Sequence, residues 1–96
     1  MSMDTRFYVY ILTDERNSRL YTGVSRDLRR KVDEQRAKKS FRFIRRKKPT
    51  KLVYYEVYWD PYYAVSREKR IKSDPKLGLE LIRCMNSQWR DLYEDL

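Results

Sequence analysis

The stretch "RFYVYILTDERNSRLYTGVS", residues 6 to 25, constrains the fold more than any other part of the chain. Its opening run is β-branched and aromatic with a period of two. Phe7, Val9 and Ile11 share one face, and Tyr8, Tyr10 and Leu12 take the other. "DERNS" supplies turn residues and "RLYTGVS" returns as a second strand, so the stretch reads as a β-hairpin. Gly23 inside the returning strand predicts a bulge or a close approach to the backbone.

Beyond the hairpin, "SRDLRRKVDEQRAKK" reads as a helix, with Ser25 as N-cap and Asp27 in the first turn. Leu28 and Val32 mark its inner stripe, and Lys31 and Gln35 fall on the same stripe. Two polar side chains there either snorkel outward or point into a shared cleft. "SFRFIRRKKPTK" is a basic segment with Phe41 and Phe43 interleaved, read as a short helix ended by Pro49. "KLVYYEVYW", residues 51 to 59, is a third strand. Asp60–Pro61 and Asp74–Pro75 each pair an Asp cap with Pro at the first helical position, opening helices at about 61–72 and 75–85. In the tail, Trp89 or Leu92 is left to pack. The order β-β-α-(α)-β-α-α predicts an α+β fold, a three-stranded, mainly antiparallel sheet flanked by helices.

Composition narrows what such a fold can do. The 96 residues suffice for one small domain, residues 1–96, with one core. The lone Cys84 and the absence of histidine come close to excluding a zinc site. No apolar run approaches the ~20 residues of a membrane span, and "MSMDTRF" lacks the apolar core of a signal peptide. A soluble, cytoplasmic protein is expected. The net charge of +9 is concentrated: residues 29 to 51 hold 12 of the 23 Lys/Arg against Asp33 and Glu34 alone. A plain solvated surface intersperses its signs, whereas a concentrated block is the footprint expected for a polyanion. An anionic membrane would attract the same block, but no strongly amphipathic anchor helix accompanies it. The expected partner is nucleic acid, reached through Arg29, Arg30, Lys38, Lys39, Arg42, Arg45, Arg46, Lys47 and Lys48. Phe41 and Phe43 either stack on bases or pack under the loop.

Among residues that can carry chemistry, Glu68 shares a helix face with Ala64 and Ile71. A carboxylate on an apolar stripe needs a partner. A neighbouring arginine is one, and Mg²⁺ held by one carboxylate with waters and phosphate is another. Spacing alone favours the ion pair.

The motifs "YVY" at 8–10 and "YTG" at 21–23, with "DLRRKVDEQ", "KLVYYEVY", "AVSREKRIK" and "LIRCMNSQWRDL" following in order, resemble the GIY-YIG nuclease family over residues 7 to about 93. The resemblance implies a three-stranded antiparallel sheet flanked by helices and divalent-metal-dependent cleavage of DNA phosphodiester bonds. By the same resemblance Tyr10 would help to deprotonate the attacking water and Tyr21 would support the nucleophile. Glu68 would bind a weakly held Mg²⁺ or Mn²⁺, and Asn86 would stand near the active site. Metal ligation thereby displaces the ion pair as the leading reading of Glu68. The missing histidine is no obstacle if a tyrosine and a metal share its task.

Three positions depart from the family pattern. Tyr8 stands where the first motif has glycine, Lys31 where the family has arginine, and Gln35 where many small members have histidine. Lysine is a flexible point charge where arginine offers a planar fork. Losing preorganised charge stabilisation typically costs ~10²–10³-fold in rate, and glutamine cannot take a proton. Three readings follow: a slow endonuclease, a catalytically impaired nucleic-acid-binding module on the same scaffold, and a basic protein of ribonucleoprotein assembly. The last gives no reason for Glu68 to lie on an apolar stripe.

Overall fold

A computed structural model describes residues 5–38 and 48–96 of the chain. The hairpin forms β1 (Phe7–Thr13) and β2 (Leu20–Ser25), followed by α1 (Leu28–Ala37) and β3 (Lys51–Tyr58). Two helices, α2 (Pro61–Ser73) and α3 (Pro75–Met85), and a 3₁₀ turn over Leu92–Asp95 complete it. The sheet order is β2-β1-β3 with both pairings antiparallel. The α+β reading is therefore correct. The short helix predicted within residues 40–48, with Phe41 and Phe43, lies outside the described residues apart from Lys48.

β1 is central because both of its faces are apolar. Val9 and Ile11 are buried with Val53, Ala64, Ile71 and Ile82, which places α2 and α3 on that side. Tyr10 and Leu12 are buried with Leu28, Val32 and Leu52, which places α1 on the other. A register shift between Ile11 and Leu12 pairs Ile11 with Tyr54 but Leu12 with Leu52, leaving Val53 as the extra residue of β3. The shift lets Leu52 and Tyr54 face opposite cores. The bulge thus lies on β3, and Gly23 is explained by close approach.

Local chemistry sets the element ends. Asp14 accepts from the Arg16 and Ser18 N–H groups at 2.9 and 3.0 Å and from the Ser18 hydroxyl at 2.6 Å. Asn17 adopts the left-handed conformation (φ 55°) that asparagine tolerates. The carboxylates of Asp60 and Asp74 cap α2 and α3 by accepting from the Tyr62 and Leu77 N–H groups. The start of α1 departs from expectation. Asp27, not Ser25, is the N-cap, accepting from the Arg30 N–H at 3.1 Å, while the Ser25 hydroxyl accepts from the Asp27 N–H at 3.0 Å.

Two polar ties brace β3. Glu56 receives a two-pronged hydrogen bond from the Arg67 guanidinium of α2 and further bonds from the Tyr54 and Tyr58 hydroxyls. Asp91 accepts from the Leu52 N–H at 3.1 Å and pairs with Arg36 of α1, whose Nε donates to the Thr50 carbonyl at 2.9 Å. The tail is folded down on both cores, Trp89 against one and Leu92 against the other.

Candidate active site

Tyr10 and Tyr21 reach one place because the hairpin pairs the strands that carry them, with Tyr10 opposite Gly23 and Leu12 opposite Tyr21. The Tyr10 phenol lies across Gly23. A Cβ there would stand 2.4 Å from its hydroxyl oxygen and 2.6 Å from Cζ, so only glycine leaves room for the ring. Gly23 has no positive φ, and space rather than backbone conformation requires it.

Lys31 and Gln35 of α1 come to the same place. With Leu28 and Val32 buried, residues 31 and 35 border the helix's inner stripe, half-buried, and line a hollow of about 430 Å³ with Tyr10, Tyr21, Thr22 and Lys38. The shared cleft, not outward snorkelling, describes Lys31 and Gln35. A larger hollow of about 610 Å³ lies beyond Tyr21 and Thr22, walled by Arg19 and Lys72. The smaller one is the candidate site, because both phenols, two lysines and an amide converge on it.

Glu68 lines neither hollow. It sits on α2 beside buried Ala64 and Ile71, its side chain 14% exposed, and pairs with Lys72 at 3.6 Å rather than with an arginine. Lys72 is itself 67% exposed, so this is a loose surface contact worth little. The Glu68 charge is felt in the site: Tyr10's pKa is pushed up first by burial, then by Glu68 and by Glu34 of α1. Glu34 and Thr22 were not foreseen; Glu34 lies one residue before Gln35 on the same helix, and nothing in the alternating strand pattern singles out Thr22.

A metal fits Glu68 in one form only. Among the described residues no three acidic, histidine or cysteine side chains cluster to hold an ion. The donor set is a single carboxylate lightly engaged by an exposed lysine, which suits Mg²⁺ retaining waters and sharing substrate phosphate.

Asn86 is elsewhere. It ends α3, 8% exposed, and its side chain is spent on backbone: Nδ2 donates to the Val53 carbonyl at 3.0 Å and the Arg90 carbonyl at 2.7 Å, and Oδ1 accepts from the Arg90 N–H at 3.0 Å. It does not line the hollow. Of the basic residues singled out, Lys38 lines the hollow, and Lys48 donates to the Arg36 carbonyl at 3.3 Å. Arg29 stacks on Tyr93, and Arg30 is exposed. Lys39, Arg42, Arg45, Arg46 and Lys47 lie outside the described residues.

A small antiparallel sheet with paired phenols over a lysine-lined hollow defines a class of α+β domain with the means to hold a phosphate diester. The sequence assigns the family: residues 6–78 match the GIY-YIG catalytic domain. A UPF0213 protein of Haloquadratum walsbyi is 38% identical over 71 residues, which is 74% of this chain and 79% of that protein. No solved structure matches the chain. This chain belongs to the GIY-YIG family, whose domains are nuclease-like, act on nucleic acids and are generally dependent on a divalent metal. Among the described residues no helix is long and apolar enough to cross a membrane.

Proposed function

We propose that the protein is a slow, divalent-metal-dependent endonuclease acting on DNA phosphodiester bonds. The observation that carries this reading is the convergence of Tyr10, Tyr21 and Lys31 on one hollow, with the Glu68 carboxylate close enough to act on Tyr10. Tyr21 would hold the attacking water and Tyr10 would take its proton. Lys31 and Lys38 would hold the phosphate, with Gln35 donating a hydrogen bond. Water attack forms one P–O bond as the bond to the leaving sugar oxygen breaks. A Mg²⁺ on Glu68 would supply charge stabilisation at the phosphate and lower the pKa of nearby acids. Asn86 would serve as a positioning residue, fixing α3 against β3.

Two features make the reaction slow. Tyr10's raised pKa keeps it a neutral phenol at pH 7, so a base is present only in a small fraction of molecules or beside a cation. Lys31 presents a point charge where a fork would hold two oxygens. The same two features favour the second reading, a binding module that has lost useful turnover.

Nicking of supercoiled plasmid with and without Mg²⁺ separates the two. The natural chain should nick slowly with Mg²⁺, Glu68→Ala and Tyr10→Phe should not, and Lys31→Arg should gain about tenfold or more. DNA binding with no nicking by any of these proteins would leave the binding module. Nicking that survives Glu68→Ala would remove the metal assignment.

A further inference from the structure

The larger hollow, about 610 Å³, lies on the α2–α3 side of the sheet, where β2 begins and α2 gives way to α3. Its floor is apolar. Leu20 of β2 and buried Ile71 of α2 line it with Pro75 and Leu79 of α3, and Leu79 stays 40% exposed. Gly78 brings α3 down onto this floor, since a Cβ there would stand 3.1 Å from Leu20 Cδ1. The volume falls within the roughly 300–1,000 Å³ of pockets that hold small organic groups.

The rim is polar and positive, with Asn17, Arg19 and Lys72 around it. Among the described residues Arg19 is engaged only through its backbone, and its guanidinium has no hydrogen bond, ion pair or ring contact. The Asn17 side-chain amide is also unengaged there, its turn being held by the backbone bond to the Asp14 carbonyl. No carboxylate lines the hollow among the described residues. Asp14 is held by its turn, Asp74 caps α3, and Glu68 meets Lys72 only at 3.6 Å. Exposed Glu15 and Glu80 do not line it. A free fork and an amide above an aliphatic floor match a nucleobase with its phosphate. The ring packs on the floor, the ring edge bonds the amide, and the phosphate takes the fork.

Position favours a nucleotide over any other small anion. Tyr21 and Thr22 line both this hollow and the candidate active site, on the outer strand of the sheet. Lys72 follows Glu68 by one turn of α2. A strand with one phosphate at Tyr10 and Lys31 that continues over β2 brings its next nucleotide here. A base stacked within a duplex cannot enter such a hollow, whereas an unstacked one can.

We infer that this hollow is a subsite for one unstacked nucleotide adjoining the phosphate held at Tyr10 and Lys31, its base on Leu20, Pro75 and Leu79 and its far phosphate on Arg19. The inference deepens the reading above. It rests on nucleic-acid binding at that site, not on turnover, and names the substrate as DNA with an unpaired nucleotide beside the cleaved bond.

Two probes of equal length and phosphate number separate base from backbone: an oligothymidylate, and the same chain built of abasic tetrahydrofuran residues. Each is titrated against the whole protein in chelator. The natural chain should bind the first about tenfold more tightly, the gain for about 60 Å² of apolar surface removed from water. Leu79→Gln should lose most of that preference while holding the abasic chain as before, a result that unfolding would not produce. Met85→Gln makes the same kind of change at a position of α3 that is 75% exposed and outside the hollow, and should keep the preference. Arg19→Gln should weaken both probes and flatten the plot of log affinity against log salt by about 0.7, one single-strand contact. Equal binding of the two probes by the natural chain, or a preference that survives Leu79→Gln, would overturn the subsite. So would a chain that dimerises through Leu79 and shows no base preference, which would give the hollow to a second copy. Mg²⁺-dependent nicking of plasmid alongside any of these results would remove this inference alone. A base preference lost in Leu79→Gln, with no nicking, would remove only the nuclease reading.

Discussion

Position 23 shows how one missing side chain shapes the candidate site. The Tyr10 ring occupies the space a Cβ would need, and Tyr10 is itself 5% exposed and packed among Leu12, Leu28 and Val32. Gly23→Ala therefore forces a phenol held in a core to move, and overpacking of that kind costs about 1–3 kcal/mol. The variant should melt at lower temperature and lose nicking while retaining DNA affinity. An unaltered melt with full nicking would mean that the ring has room to yield. The sequence marked this glycine as a break in a strand but left bulge and close approach both open. The choice depends on which residue lies opposite, and strand register is a property of the pair. Asn86 was illegible for a similar reason. An asparagine that touches substrate and one that clasps backbone carbonyls are the same letter, and the carbonyl of Val53 lies 33 positions away.

The helices, by contrast, were nearly spelled out, because Asp followed by Pro acts through its own next turn. The Asp74 N–H bonds to the Ile71 carbonyl at 3.2 Å as its side chain receives the Leu77 N–H, so one residue closes α2 and opens α3. Asp74→Ala should cost about 1 kcal/mol, lowering the melting temperature by about 4–8 °C. No change by calorimetry would mean that the α2–α3 corner is held by packing alone. Periodicity also put Lys31, Gln35 and Glu68 on apolar stripes, and in the structure Lys31 and Gln35 border theirs. It could not place Thr22, nor foresee that Arg67, one residue before Glu68, ties α2 to β3 through Glu56. That partner is set by how a helix lies on a sheet, beyond the reach of a local pattern.

For the molecule as a whole, the perturbed groups bound the pH range of stability. Burial pushes the Glu56 carboxyl up, but Arg67 and the Tyr54 and Tyr58 hydroxyls outweigh it, and its pKa lies below the usual value. Asp14, also buried, is likewise lowered by its hydrogen bonds to Ser18 and Arg16. A lowered folded pKa gives stability that is present above the unfolded value and lost as pH falls through the folded one. Tyr54, Tyr58 and Tyr10 are raised, chiefly by burial, so their contribution is whole below about pH 10 and declines above it. Chemical denaturation should show a plateau from about pH 5 to 9 with losses on both sides, and Glu56→Gln should flatten the acid limb. An acid limb of identical slope in that variant would assign the loss elsewhere. The hairpin carries a further consequence, for the order of assembly. Thr13 meets Leu20 across a six-residue turn but meets Lys51 only after 37 intervening residues. Closing the longer loop costs on the order of 1–2 kcal/mol more chain entropy. The two phenols of the candidate site accordingly come into register in the earliest pairing that the chain can make. Stopped-flow refolding should find Asp14→Ala slowing folding, and Asp91→Ala, which unfastens the distant edge, chiefly hastening unfolding.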